Sequence, residues 1–146
     1  MDKPKQETDR YNKALELATR AHAGQVDKGG NAYINHPIAA AGLVEGEAKI
    51  VALLHDVVED GHVDLSDLRS FGDQIVNAVD AITRRPGEAR KDYLDRVASN
   101  PLAREVKIAD LIHNSEIGRI QHPTVEDFER VERYRVEMQE LMEGRQ

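Results

Sequence analysis

Apolar side chains recur every three or four residues along most of the chain, which is the period of an amphipathic α-helix. The first such segment ends at Gly24, and its apolar or small positions are Tyr11, Ala14, Leu15, Ala18 and Ala21. No segment shows the strict alternation of apolar and polar residues that a half-buried β-strand requires. The pattern therefore predicts an all-α fold, a bundle of roughly seven helices.

The later segments begin or end at residues that favour helix ends. Pro37 suits the first turn of a short helix, and Asn100 followed by Pro101 suits the start of a later one. Thr124 and Asp127 have the spacing of a capping box, which opens a C-terminal helix at about 124–143. The predicted helical segments are 11–24, 37–45, 47–61, 64–85 (one or two helices), 92–100, 101–120 and 124–143.

Composition narrows the functional class. The 146 residues suffice for one domain, and because 40% are apolar but only 4% aromatic, the core must consist of Leu, Val, Ile and Ala. The absence of cysteine excludes disulfides and thiolate metal sites. A formal net charge of −7 argues against a nucleic-acid-binding protein, and no segment approaches a bilayer-spanning length. We expect a single cytoplasmic domain over residues 1–146, with neither nucleic acid nor membrane as a partner.

The stretch LLHDVVEDG, residues 53–61, concentrates polar groups that can bind a cation. On a helix, one arc would carry His55, Asp56, Glu59 and Asp60, while the opposite arc is apolar. That pattern also fits an ordinary amphipathic helix with a solvated face. However, no Lys or Arg interleaves with the acids, and acids at a helix C-terminus oppose the helix dipole. A divalent cation would supply the missing positive charge.

Two other segments offer ligands for the same cation. Asp110 lies in the apolar stretch VKIADLIHN and is expected to face the interior, where an unpaired carboxylate is costly. Asn114 follows one turn later, and His36 stands at the start of the helix around Pro37. Two imidazoles and two carboxylates form a set that suits Mn, Fe or Zn, with positions left for water: His36, His55, Asp56 and Asp110.

Three segments together resemble a known family. In order and approximate spacing, AHAGQVDKGGNAYINHPIAAA, ALLHDVVED and VKIADLIHN resemble the HD-domain hydrolases of the SpoT-like kind, especially the stand-alone small alarmone hydrolases, which lack a synthetase domain. The resemblance covers about residues 10–120 and is most specific from Ala18 to Asn114. It implies a helical HD domain with one metal ion, usually Mn²⁺, bound by His36, His55, Asp56 and Asp110.

The resemblance also implies an activity. Glu59 and Asp60 would handle the nucleophilic water and the proton transfers, Asn114 would contact the nucleotide, and Lys28 would lie near the purine or its phosphates. The implied reaction removes the 3′-diphosphate of (p)ppGpp as pyrophosphate and leaves GDP or GTP. The residues agree with this chemistry, because Glu59 follows His55 by four positions and projects towards the same water.

Two segments depart from the family pattern. Where alarmone hydrolases usually read Gln-aromatic-Arg-Lys, residues 25–28 read Gln-Val-Asp-Lys, so an acid replaces a basic residue near the base. Where the family commonly reads Met-Arg-Thr after the motif asparagine, residues 115–117 read Ser-Glu-Ile. Asp27 would either repel the substrate's phosphates or accept hydrogen bonds from a base amino group. An adenine nucleotide, (p)ppApp, therefore fits the sequence as well as (p)ppGpp.

The remaining polar residues have competing interpretations. The basic loop RRPGEARK, residues 84–91, either keeps the protein soluble or acts as a flexible clamp on substrate phosphates. Its candidate substrate-binding residues are Arg84, Arg85 and Lys91. The C-terminal helix has mixed charges and is expected to pack or to form a homodimer. His22 either supports His36 from behind or is an ordinary buried histidine. His113 points about 100° away from Asn114 and is expected only to pack.

Three functions fit these observations. The leading hypothesis is a metal-dependent pyrophosphohydrolase of a small anionic, alarmone-type nucleotide. The second is a broader HD-type nucleotide phosphohydrolase acting as a phosphomonoesterase, against which the segment GGNAYINHP argues. The third is a non-catalytic module that senses a nucleotide; such a module would tolerate loss of the ligands or of Glu59 and Asp60, and none is lost. Release of pyrophosphate rather than orthophosphate separates the first two.

Overall fold

Helices dominate the architecture of the computed structural model, which describes residues 3–144. The α-helices are α1 (Lys3–Ala21), α2 (Asn35–Ala41), α3 (Glu47–Leu54), α4 (Val57–Asp60), α5 (Asp73–Ile82), α6 (Arg90–Ala98), α7 (Pro101–Asn114) and α8 (Val125–Met142). Two 3₁₀ helices span Leu65–Phe71 and Ile117–Arg119. Across residues 3–144 the β-type pairing is limited to an isolated bridge between Val26 and Ala32. The predicted all-α fold is therefore confirmed, with eight α-helices there instead of roughly seven.

α3 forms the centre of the core. It packs against α1, α2, α5 and α7, and a helix that is apolar on nearly all sides is expected to be buried in this way. α1 approaches through the small residues Ala14 and Ala18, which are fully buried. The buried residues of α3 itself are Ala48, Ile50, Val51, Ala52, Leu53 and Leu54. Because α2 and α7 both pack on α3 and on each other, the polar residues that they carry meet at its C-terminal end.

The predicted helix over residues 47–61 is interrupted, which corrects the sequence interpretation. α3 ends at Leu54, and α4 begins at Val57. Between them Asp56 adopts φ −108° and ψ −2°, in the bridge region where active-site residues are often found. The Nδ1 atom of His55 bonds the carbonyl oxygen of Ala52 at 2.6 Å, which satisfies one of the carbonyls left open at the end of α3. α4 is one turn long, so a dipole argument based on one continuous helix does not apply.

Predicted helix caps are confirmed at two starts. The side chain of Asn100 accepts a hydrogen bond from the backbone N–H of Ala103 at 3.0 Å, with Pro101 following it at the start of α7. Thr124 and Asp127 form the capping box of α8. These caps satisfy backbone donors that a helix start leaves unpaired.

Two further expectations concern the whole chain. No helix in the described part of the chain has the length and apolar character needed to cross a membrane. That residues 1–146 form a single domain stays a prediction, and residues 1, 2, 145 and 146 lie outside the described part.

Candidate metal centre and substrate cleft

Four predicted ligands converge where α2, α3 and α7 meet. One ligand atom from each lies within 4.8 Å of all the others: His36, His55, Asp56 and Asp110. Asp110 Oδ1 lies 2.7 Å from His36 Nε2 and 3.2 Å from His55 Nε2, and Asp56 Oδ2 lies 3.1 Å from His55 Nε2. Ligands about 2.1 Å from a metal and at right angles to each other would be about 3 Å apart. The donor set and its spacing therefore fit one divalent cation.

Neighbouring groups orient the ligands so that the correct atoms face the centre. Because the Nδ1–H of His55 donates to a backbone carbonyl, its Nε2 lone pair is left for a cation. His36 Nδ1 lies 2.7 Å from His113 Nδ1, so the expectation that His113 only packs is wrong. The Tyr33 hydroxyl donates to Asp56 Oδ2 at 2.5 Å. Such partners fix the ring tautomers and the carboxylate orientation.

A buried lysine completes the centre. Lys107 Nζ donates to Asp110 Oδ2 at 2.8 Å and leaves Oδ1 directed at the imidazoles. Burial would lower the pKa of Lys107, but the charge of Asp110 outweighs burial and raises this pKa. Lys107 is not among the residues predicted from the sequence, although its position one turn before Asp110 in an apolar helix is a usable signal.

The electrostatics favour positive charge at the centre. Burial opposes protonation of His55, but Asp56 and Asp110 outweigh it and raise the pKa of His55 well above its usual range. Burial likewise opposes ionisation of Asp56, but His55 and the hydrogen bond from Tyr33 lower the pKa of Asp56 to about 2. A cation bound by these atoms would displace protons from the imidazoles, as metal binding to histidine does in general.

Glu59 and Asp60 lie beside the centre on α4. Their carboxylate oxygens and one oxygen of Asp56 lie within 4.8 Å of one another. Burial raises the pKa of both Glu59 and Asp60, and the charge of Asp56 raises both further. The nearby backbone of Arg84 and the charge of Lys107 lower the pKa of Glu59 only in part. Raised pKa values beside a ligand cluster are typical of groups that transfer protons.

The centre opens into a cavity of about 360 Å³ with three cationic side chains in its lining: Arg84, Arg90 and Lys107. Two predicted substrate-binding residues do not line it, because each is paired with an acid elsewhere. Arg85 pairs with Asp80 at 3.0 Å, and Lys91 pairs with Asp95 at 2.8 Å. The substrate-binding role predicted for Arg85 and Lys91 therefore stays a prediction. Arg90 of the same loop does line the cavity, and it donates two hydrogen bonds to Glu137.

The basic loop is anchored by side-chain contacts, which argues against the flexible clamp, one of the two interpretations of this loop. Arg96 forms an ion pair with Glu88 and donates to the carbonyl oxygens of Ala81 and Thr83. Its guanidinium also lies 5.6 Å from the centre of the Tyr93 ring. Because both ends of the loop are held by one arginine, the position of its backbone beside the centre is fixed.

A second compartment of about 290 Å³ adjoins the first. The two cavities share Tyr33, Asn114 and Tyr134, so they form one cleft. The predicted substrate-binding residues Lys28, Asp27 and Asn114 all line this compartment. Asn114 also donates to Asp110 Oδ1 at 3.1 Å, which places it at the boundary between the compartments.

α8 forms one wall of the cleft, although its sequence suggested only packing or dimer formation. Tyr134 lines both compartments, and Arg130 lines the second. Both side chains are half-buried on the face of α8 that meets α7. The sequence did not indicate that α8 lines the cleft, because its mixed charges at helical spacing are also the pattern of a solvated helix.

His22 lies behind the cleft. Its Nδ1 atom is 3.0 Å from the side-chain oxygen of Gln25, and its ring packs on Tyr33 with ring centres 4.8 Å apart. Tyr33 in turn packs on His36 with ring centres 5.7 Å apart. The predicted support of His36 is thus indirect, through Tyr33.

Comparison with known proteins agrees with this geometry. The family model for the HD domain matches residues 14–107. A GTP pyrophosphokinase of Streptomyces coelicolor is 35% identical over 134 residues, which are 80% of this chain and 16% of that protein. A guanosine-3′,5′-bis(diphosphate) 3′-pyrophosphohydrolase of Borreliella burgdorferi is 37% identical over 78 residues, covering 49% of this chain and 12% of that protein. The chain thus spans about one sixth or less of the length of these relatives.

A solved structure has the same fold. It belongs to a protein described as a metazoan ortholog of SpoT that hydrolyses ppGpp, and it superposes with a TM-score of 0.74. The match covers 92% of this chain and 84% of the other at 23% sequence identity. The resemblance to SpoT-like HD-domain proteins is confirmed by these matches together.

Proposed function

The chain belongs to the HD-domain family, and we propose that it is a metal-dependent pyrophosphohydrolase that removes the 3′-diphosphate of an alarmone-type nucleotide, (p)ppGpp or (p)ppApp. One observation carries the proposal. A ligand set for one divalent cation adjoins two carboxylates of raised pKa, at one end of a cleft whose other end is a separate compartment. This arrangement suits a substrate with phosphates to hydrolyse and a base to hold.

Similar proteins are named both as synthetases and as hydrolases, and the site favours hydrolysis. The printed names include GTP pyrophosphokinase and guanosine-3′,5′-bis(diphosphate) 3′-pyrophosphohydrolase. The residues that gather in this chain are ligands, carboxylates and phosphate-binding cations around one cavity. We therefore assign hydrolysis to this chain.

The proposed chemistry uses water as the nucleophile. A divalent cation, for which we propose Mn²⁺ before Fe or Zn, would lower the pKa of water and neutralise phosphate charge. Glu59 accepts a proton from the attacking water as its oxygen bonds to the phosphorus nearest the ribose. The bond from that phosphorus to the 3′ oxygen breaks, and Asp60 donates the proton that makes the oxygen a hydroxyl. The products are pyrophosphate and the nucleoside 5′-di- or triphosphate.

The cationic side chains hold the diphosphate during this reaction. Lys107 is fixed by Asp110 and Arg90 by Glu137, so neither must be ordered when substrate binds. Arg84 lines the same cavity. Fixed cations stabilise the negative charge that develops on the transferred phosphate.

A product-resolved assay with Mn²⁺ tests the proposal. The purified chain should release pyrophosphate from ppGpp or ppApp, and Glu59→Gln should retain about one metal while kcat falls ~10²-fold or more. Glu132→Gln, the same change on an exposed part of α8, should leave kcat unchanged. Release of orthophosphate would instead identify a phosphomonoesterase, and nucleotide binding without turnover would identify a sensing module. A Glu59→Gln protein with normal kcat would remove Glu59 from the mechanism.

A further inference from the structure

An ion pair joins the two walls of the second compartment. Arg119, at the end of the 3₁₀ helix Ile117–Arg119, donates from Nη2 to Asp27 Oδ2 at 3.1 Å. From Nη1 it donates to the carbonyl oxygen of His113 at 2.8 Å. The guanidinium therefore connects the end of α7 to the loop of residues 24–31, and Asp27 in that loop lies 92 positions before Arg119.

Asp27 is fully engaged within its loop. Its Oδ1 atom accepts hydrogen bonds from the backbone N–H groups of Gly29 at 2.9 Å and Asn31 at 3.0 Å. Its Oδ2 atom accepts a hydrogen bond from Arg119. The side chain of Asp27 is only 12% exposed, and that of Arg119 is 26% exposed. Both of the sequence hypotheses for Asp27 needed a carboxylate that faces the ligand unpaired. The observed contacts give it a third role, as a link between the two walls.

The backbones of the two walls also approach closely. A Cβ atom on Gly29 would lie 2.4 Å from the backbone oxygen of Arg119, a distance that no side chain can occupy. Only glycine permits this approach, because it has no Cβ. The ion pair thus holds the two segments together, and the glycine allows their backbones to come this close.

We infer that the Asp27–Arg119 pair positions the walls of the second compartment, which would hold the nucleobase. The pair would thereby set the affinity for the nucleoside part of the ligand, separately from the cavity beside the ligand set, which would hold the phosphates. The two residues line the compartment with Lys28 and Asn114. They are contributed by a loop and a 3₁₀ helix, whereas His36 and Asp110 lie on α2 and α7, and His55 and Asp56 directly follow α3. The inference rests on the proposed function for the class of ligand, a purine nucleoside diphosphate. The pair acts as a positioning device, because it orders the loop that carries Lys28.

Calorimetric titration of the Mn²⁺-loaded protein with GDP, ADP and inorganic pyrophosphate tests this inference without turnover. Asp27→Asn and Arg119→Gln should each weaken binding of the preferred nucleoside diphosphate about 5- to 10-fold. The double variant should be about as weak as the worse single variant, because the two residues act as one unit. Affinity for pyrophosphate should stay within about twofold, since it occupies the other compartment.

Glu132→Gln and Arg135→Gln are matched controls, because they remove an exposed ion pair on α8. They should change none of the three affinities. Gly29→Ala provides a second variant that perturbs the same contact without changing charge, and it should weaken nucleoside diphosphate binding as well.

Tighter nucleotide binding by Asp27→Asn would overturn the inference and support simple repulsion. Additive losses in the double variant, an equal loss of pyrophosphate affinity, or a wild-type protein that binds neither GDP nor ADP would also overturn it. The proposed function fails by a different result, the absence of pyrophosphate release from ppGpp and ppApp. A protein with variant-sensitive GDP or ADP binding but no such release would keep the inference and lose the proposed activity.

Discussion

Replacing Lys107 by methionine removes a buried ammonium that contacts the ligand set. Methionine has a similar length and is apolar, so the main change is the loss of charge beside Asp110. Lys107 is 9% exposed and Asp110 is 5% exposed, so water cannot readily replace the lost contact. The metal-free variant should therefore be less stable than the wild-type protein.

The structure sets the size of this effect. At 2.8 Å and an effective dielectric of ~20, the Coulomb attraction is about 6 kcal/mol before the cost of removing both charges from water. Breaking a buried ion pair typically costs about 3–5 kcal/mol. The lower value applies here, because Asp110 Oδ1 keeps its contacts with His36, His55 and Asn114. For 146 residues, about 3 kcal/mol lowers Tm by roughly 10 °C.

Metal should reverse most of this loss. A divalent cation compensates Asp110 directly, and the variant no longer has the like charge of Lys107 close to the cation. Thermal denaturation with chelator should therefore separate the two proteins by roughly 10 °C, and saturating Mn²⁺ should narrow the gap to a few degrees. In the same variant kcat/KM should fall at least ~10-fold, because one cation that faces the phosphates is lost.

Arg10→Met is the matched control for this experiment. Arg10 pairs with Glu47 and donates to the carbonyl oxygen of Phe71, so its loss should destabilise the protein equally with and without Mn²⁺. The reasoning is refuted if Mn²⁺ stabilises the Lys107→Met protein no more than it stabilises Arg10→Met. In that case Asp110 and the cation do not interact as the ligand geometry requires.

Three further substitutions examine separate parts of the structure. Asp110→Ala should abolish both metal binding and hydrolysis, measured as metal content and pyrophosphate release, since the imidazoles would lose their shared carboxylate. Tyr33→Phe keeps the ring but loses the hydrogen bond to Asp56, so metal affinity measured by competition with a chelator should fall about tenfold or more. Thr124→Ala removes one half of the capping box with Asp127 and should lower stability to denaturant by about 1 kcal/mol, with metal content unchanged.

Much of the metal centre could be predicted because its residues violate local patterns. Asp110 is a carboxylate in an apolar helix, and His55 with Asp56 stands beside two more acids without basic neighbours. Buried charge must be compensated, so such residues indicate a partner even before the fold is known. The same reasoning could have found Lys107, which is also charged and buried on that helix. It was missed because a lysine in a helix is normally exposed.

Contacts between distant segments could not be predicted in the same way. The link from Asp27 to Arg119 and the approach of α8 to the cleft depend on how helices pack, which the period of apolar residues leaves open. The break after His55 was hidden because residues on both sides of it have helical periodicity. At the break, the imidazole of His55 bonds the carbonyl oxygen of Ala52, a local contact that the apolar period does not indicate.

The division of the cleft has a consequence for substrate choice. Two of the four ligands lie on helices packed in the core and His55 directly follows a third, so a change there would disturb both the fold and the ligand set. The second compartment is lined by a loop, a 3₁₀ helix and the outer helix α8, whose residues have fewer buried neighbours. Loops and surface elements accept substitutions more readily than core helices. Both departures from the alarmone hydrolase pattern, at residues 25–28 and 115–117, lie at this compartment. Under the proposed function, the base that the second compartment accepts can therefore change while the ligand set and the carboxylates proposed to act on the phosphates stay in place.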